Sequence, residues 1–100
     1  MKSVIASVKD VPPGKMINAV HRGKNILVAN VGGRYYAVGN NCTHLGCLLS
    51  LGTLIGEKVQ CPCKGSIFDL WTGAVLQGPA EVPEPVYKLK VEGDQIFLIE

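Results

Sequence analysis

The chain has 100 residues, 47% apolar and 18% charged. That length suits one domain over residues 1–100, and the composition is too apolar for a disordered chain. Net charge is +2, about +5 in residues 1–50 and −3 in residues 51–100. No Lys/Arg cluster with interleaved aromatics occurs, which excludes a nucleic-acid surface and leaves an electrostatic patch for a protein partner.

No apolar run reaches the roughly 18 residues of a membrane span. Lys9 and Asp10 interrupt the N-terminal stretch before it becomes a secretory core. The expectation is a chain with no membrane anchor and no export signal, hence a cytoplasmic protein.

In chain order, Val4–Val8 is the first β-rich run, ended by Pro12-Pro13-Gly14. Met16–Val20 follows, then a turn at Arg22-Gly23-Lys24-Asn25, then Ile26–Val31. Gly32-Gly33 separates that run from Arg34–Val38, whose Tyr35 and Tyr36 suit a pleated surface. These runs predict a meander of hairpins. Val86–Val91 and Gln95–Ile99 flank Glu92-Gly93-Asp94 and predict a final hairpin. Helical periodicity is missing, so the fold class is all-β, an antiparallel barrel or sandwich.

Residues 40–80 read differently. They hold all four cysteines, one of the two histidines and the only tryptophan. A segment so rich in loops needs a metal or a disulfide to fold. Cys42-Thr43-His44-Leu45-Gly46-Cys47 is followed, after thirteen intervening residues, by Cys61-Pro62-Cys63-Lys64-Gly65-Ser66. Thiolates and an imidazole on two loops suit iron–sulfur or zinc. Two disulfides with a surface His44 is the plainer reading, and a chain without an export signal disfavours it. Neither cysteine pair has the spacing of a good zinc knuckle, so alternate cysteines have different jobs.

These two motifs resemble Rieske-type iron–sulfur proteins, which carry Cys-x-His in one loop and Cys-x-x-His in the next. One iron there takes two cysteine sulfurs and the other two histidines. Cys-Thr-His-Leu-Gly-Cys and Cys-Pro-Cys-x-Gly-Ser are similar to the soluble, disulfide-containing branch. Phe68-Asp69, Thr72-Gly73 and the proline loop Gly78-Pro79-Ala80 extend the likeness over residues 40–80.

The resemblance implies an antiparallel β-sandwich or barrel base with a small, loop-rich metal-binding subdomain at about 40–80. It implies a 2Fe-2S cluster with Cys42, His44, Cys61 and Lys64 at the four ligand positions. Cys47 and Cys63 would form a disulfide, with Leu45, Ser66 and Pro79 in the surrounding shell. The implied function is one-electron transfer between a reductase and an oxygenase or other acceptor, by a monomer with no catalytic residues.

Lys64 departs from the family, which has histidine there. The intact surroundings (Pro62, Gly65, Ser66 and the proline loop) read as a site built for histidine, with Lys64 an altered, engineered ligand. A natural variant is the plainer alternative. An ordinary lysine must lose its proton before it can coordinate, at a cost of about 4–5 kcal/mol at pH 7. If the cluster fails, a mononuclear iron or zinc site on the same scaffold, redox-silent in the zinc case, is the alternative. Ser66 resembles the serine that donates to a bridging sulfide, while Phe68 lacks the hydroxyl of higher-potential members. One donor of two implies an intermediate potential for a histidine-ligated form. His21, beside a turn, reads as an exposed strand end, Trp71 as packing, and one of Leu48 and Leu49 as core.

Overall fold

The structure, a computed structural model, describes residues 2–43, 46–63 and 65–99. Its strands in chain order are β1 (Lys2–Ser7), β2 (Met16–His21), β3 (Lys24–Val31), β4 (Arg34–Gly39), β5 (Thr53–Ile55) and β6 (Lys58–Gln60). They continue with β7 (Ile67–Asp69), β8 (Val75–Gln77), β9 (Val86–Glu92) and β10 (Gln95–Ile99). The first run stops earlier than its apolar pattern suggests. The Ser7 hydroxyl accepts the Lys9 N–H and starts a 3-10 turn at Val8–Asp10, which takes Val8 out of the strand.

All pairings are antiparallel. Six strands form one sheet in the order β1-β10-β9-β4-β3-β2, and its edge strands β1 and β2 return to each other's neighbourhood, nearly closing a barrel. Local chemistry sets the hairpins. Arg22 and Gly23 lie at φ 52° and 78°, and Gly32 and Gly33 at 59° and 96°. Two central residues of positive φ match the right-handed twist of the flanking strands. The first turn is therefore shorter than the four residues expected, because Lys24 and Asn25 already pair with His21 and Val20.

The second sheet holds β5-β6-β7-β8 and was not foreseen as a sheet. Each of its strands has three residues, too few for an alternating pattern to register. The middle segment is thus less loop-rich than its composition suggests.

β3 shows how the two sheets meet. Ile26 and Val28 face one core, with Val11, Ala19, Ala37, Ile96 and Leu98. Leu27 and Ala29 face another, with Val38, Leu49, Val59, Phe68 and Leu70. A strand covered on both faces carries a continuous apolar run, as Ile26–Ala29 does. The second core is the seam between the sheets, and it includes Cys42, Cys61 and Ala80. Packing therefore fixes both cysteine loops against that seam.

Candidate metal centre

Two loops pack against this seam with the same main-chain wiring. The Cys42 N–H donates to the Cys47 carbonyl at 2.7 Å, and the Gly46 N–H donates back to the Cys42 carbonyl at 2.7 Å. In the second loop the Cys61 N–H donates to the Ser66 carbonyl at 2.7 Å, and the Gly65 N–H to the Cys61 carbonyl at 3.2 Å. Each loop starts on a buried cysteine, 3% exposed in both cases, and has glycine at its fifth position. Gly46 and Gly65 take φ of 76° and 80°, a left-handed conformation that glycine adopts at no steric cost. The repeat was legible only as Cys-x-x-x-Gly, a weak signal until the hydrogen bonds are seen.

Cys47 and Cys63 form a disulfide that ties the loops together, with Cα atoms 6.4 Å apart. Cys42 and Cys61 lie outside that bridge. The Cys61 sulfur is within 4.8 Å of both bridged sulfurs. Only Cys61 of these three can supply a thiolate, since the other two sulfurs are bonded to each other. The bridge spans 16 positions, a loop length whose closure stabilises by about 3 kcal/mol. A Cys47→Ser/Cys63→Ser variant is expected to lose about 2–4 kcal/mol in urea unfolding. A loss under about 0.5 kcal/mol would contradict a stapling role.

Asn40 anchors the first loop and was missed from sequence. It is fully buried. Its Nδ2 donates to Asn18 Oδ1 at 2.8 Å and Ser50 Oγ at 2.9 Å, and its Oδ1 accepts the Ser50 N–H at 2.8 Å. Gly52 lets the exit of this loop pass the second one, since a Cβ there would lie 1.9 Å from the Gln60 carbonyl oxygen.

The segment after the Gly78–Pro79 bond, which is cis, straps both loops. Ala80 donates its N–H to the buried Ser66 Oγ at 3.0 Å. That leaves the hydroxyl proton of Ser66 to donate elsewhere. Thr43 Oγ1 donates to the Val82 carbonyl at 2.6 Å. Pro79 itself is exposed.

Glu84, also missed, is 5% exposed. Burial pushes its carboxyl up to about 7 from 4.5, opposed by the Thr43 main-chain N–H. A raised carboxyl pKa favours the protonated form in the fold. Its contribution is therefore complete below pH 4.5 and is lost as pH rises towards 7, by at most about 3 kcal/mol. Wild type should lose urea stability between pH 5 and 8 relative to Glu84→Gln, and parallel pH profiles would contradict this.

Several sequence expectations can be located. Leu49 is fully buried and Leu48 half-buried, so one of the two is core. Asp69 Oδ1 accepts the Trp71 N–H at 2.8 Å and serves a turn. His21 is half-buried at the end of β2. Trp71 is 59% exposed and leans on Tyr36 with ring centres 6.0 Å apart, so it packs on one face only. His44, Leu45 and Lys64, expected as two ligands and a shell residue, lie outside the described residues.

The donor set can be tested against a diiron centre. Two buried thiols on equivalent loops fit the iron that takes cysteine. The other iron needs two nitrogen donors, and the positions that carry histidine in the Rieske motif hold His44 and Lys64. Three donors fit directly, and the fourth fits only as a neutral amine.

A family model described as "Rieske [2Fe-2S] domain" matches residues 1–93. The ferredoxin component of biphenyl 2,3-dioxygenase from Rhodococcus jostii is 35% identical over 94 residues, covering 94% of this chain and 88% of that protein. The cytochrome b6-f complex iron-sulfur subunit of Chlorobaculum thiosulfatiphilum is 35% identical over 94% of this chain, which spans only 51% of that protein. A solved complex of reduced oxygenase and oxidized ferredoxin in carbazole 1,9a-dioxygenase contains a chain of the same fold. Its TM-score is 0.90 at 30% identity, over 97% of this chain and 91% of that one.

Proposed function

The chain belongs to the Rieske [2Fe-2S] domain family, and from that premise we propose that it is a one-electron carrier passing electrons from a reductase to an oxygenase or a comparable acceptor. The supporting observation is the pair of equivalently wired loops, each presenting a buried cysteine to the same core between the two sheets. Ferredoxin components of dioxygenases among its relatives support the same reading, and so does the ferredoxin chain solved in complex with an oxygenase.

Cys42 and Cys61 would hold one iron, and His44 and Lys64 would supply the donors for the other. The cluster, when bound, supplies a single reversible electron. The protein's own part is to hold and tune it. The disulfide locks the two loops at a fixed separation. Ser66, whose Oγ accepts the Ala80 N–H, keeps a hydroxyl proton that would donate to a sulfur of the bound cluster and raise its potential, while buried Phe68 would offer no second donor. The seam core excludes water from the cysteine side.

The domain spans residues 1–100, with the metal-binding subdomain at about 40–80, and acts as a cytoplasmic monomer. No helix among the described residues is long and apolar enough to cross a membrane. Reduction by a ferredoxin reductase and reoxidation by an oxygenase, followed by visible absorbance in a stopped-flow mixer, tests the proposal. Absorbance that neither partner changes would overturn it.

A further inference from the structure

We infer that the pocket between the β2–β3 turn and the end of β10, at one mouth of the barrel, binds a small organic carboxylate with an apolar body. None of its lining residues belongs to either cysteine loop. It therefore adds a second binding site to the electron carrier and is not a part of the iron centre.

The floor is apolar. Ile26 and Leu98 line the pocket and are only 1% and 2% exposed, because they belong to the barrel core. Tyr87 packs against the same core, and Ile99 completes the apolar wall. The pocket holds about 260 Å³. Sites for drug-sized molecules hold roughly 300–1,000 Å³, so this one suits a ligand of about one ring. An apolar lining with a few polar groups at its edge is the ordinary make-up of a small-molecule site.

The rim is basic. His21, Arg22 and Lys24 line it, and among the described residues no acidic side chain does. The ladder sets His21 opposite Lys24, so the hairpin end gathers all three side chains. Arg22 is the one non-glycine residue with a positive φ among the described residues, at 52°. Asparagine or glycine is favoured at that place in such a turn, and a longer side chain there costs conformational energy. What arginine brings instead is a planar, permanently charged fork that fits a carboxylate with two parallel hydrogen bonds. Inorganic phosphate would use this rim and leave the floor empty. A neutral ring would use the floor and leave the rim unmatched. A carboxylate on an apolar ring or short chain uses both.

The test titrates the full chain as purified, isotopically labelled, with benzoate at pH 7 and follows its amide signals by nuclear magnetic resonance. Saturable shifts are expected at Gly23, Lys24, Tyr87 and Ile99. Benzamide keeps the ring without the charge, and it should bind about tenfold more weakly or worse, as should inorganic phosphate. Arg22→Asn preserves the turn, since asparagine is favoured there. Combined with Lys24→Gln, it should weaken benzoate by about tenfold and leave the visible spectrum unchanged. Benzoate that moves none of the four signals overturns the inference. So does equal binding of benzamide or of phosphate, or undiminished benzoate affinity in the double variant. The comparison of benzoate with benzamide is made on the unaltered chain, so it decides the matter even where the double variant folds poorly. A chain without a redox signal contradicts the carrier reading and leaves these titrations unaffected.

Discussion

Replacing Cys61 by serine is expected to abolish the iron centre, with iron per chain falling from about two to below a tenth of that. A serine hydroxyl is not ionised at neutral pH and offers a hard oxygen where iron–sulfur chemistry needs a thiolate. The fold should survive. Both hydrogen bonds that shape this loop at Cys61 use its main-chain N–H and carbonyl, not its sulfur, and serine fills nearly the same volume. Far-ultraviolet dichroism should match the parent while visible absorbance disappears. The contrast with the disulfide is informative, because three sulfurs cluster here. Loss of the Cys47–Cys63 bridge should show first in stability, and loss of Cys61 first in metal. Normal iron content in Cys61→Ser would remove the assignment of this loop as a ligand loop.

Lys64→His is expected to hold the centre far more tightly. A lysine of ordinary pKa must give up its proton before it can bind, which costs about 4–5 kcal/mol at pH 7, or roughly a thousandfold in affinity. Histidine is mostly neutral at that pH and avoids this cost. Resistance of the visible spectrum to a chelator should rise accordingly. The pH dependence should also change. Retention by the lysine form should keep improving as pH rises towards 10, whereas the histidine form should level off above about 7. Equal resistance in both proteins, with the same pH profile, would mean that position 64 is not a ligand. The potential separates two arrangements of the lysine form. An ammonium beside the centre favours the reduced state, so a potential below that of Lys64→His would argue against a charged, detached Lys64.

How much of this was legible in the sequence differs by region. The meander β2–β4 and the hairpin β9–β10 were plain, because runs of five to eight residues between glycine turns leave strong periodic marks. The sheet β5–β8 was hidden because its strands are three residues long and depend on packing over Leu27, Ala29 and Val38. The four cysteines and their spacing carried the division of labour that the family resemblance made explicit, and the Cys47–Cys63 bridge is present. Asn40 and Glu84 were not readable. Nothing local distinguishes a buried, hydrogen-bonded asparagine or glutamate from an exposed one in a loop. Glu84 lies against Gly39 and Gly73, both distant from it in sequence, and its place shows only in those glycines, where a Cβ would lie 2.6 Å from its Oε1 and 2.1 Å from its carbonyl oxygen.

The central claim, that this chain carries a one-electron Rieske-type centre, is tested most directly by low-temperature EPR of the purified protein before and after dithionite. The account predicts silence as isolated and a rhombic diiron signal on reduction. Silence in both states, or a mononuclear ferric signal before reduction, would contradict it.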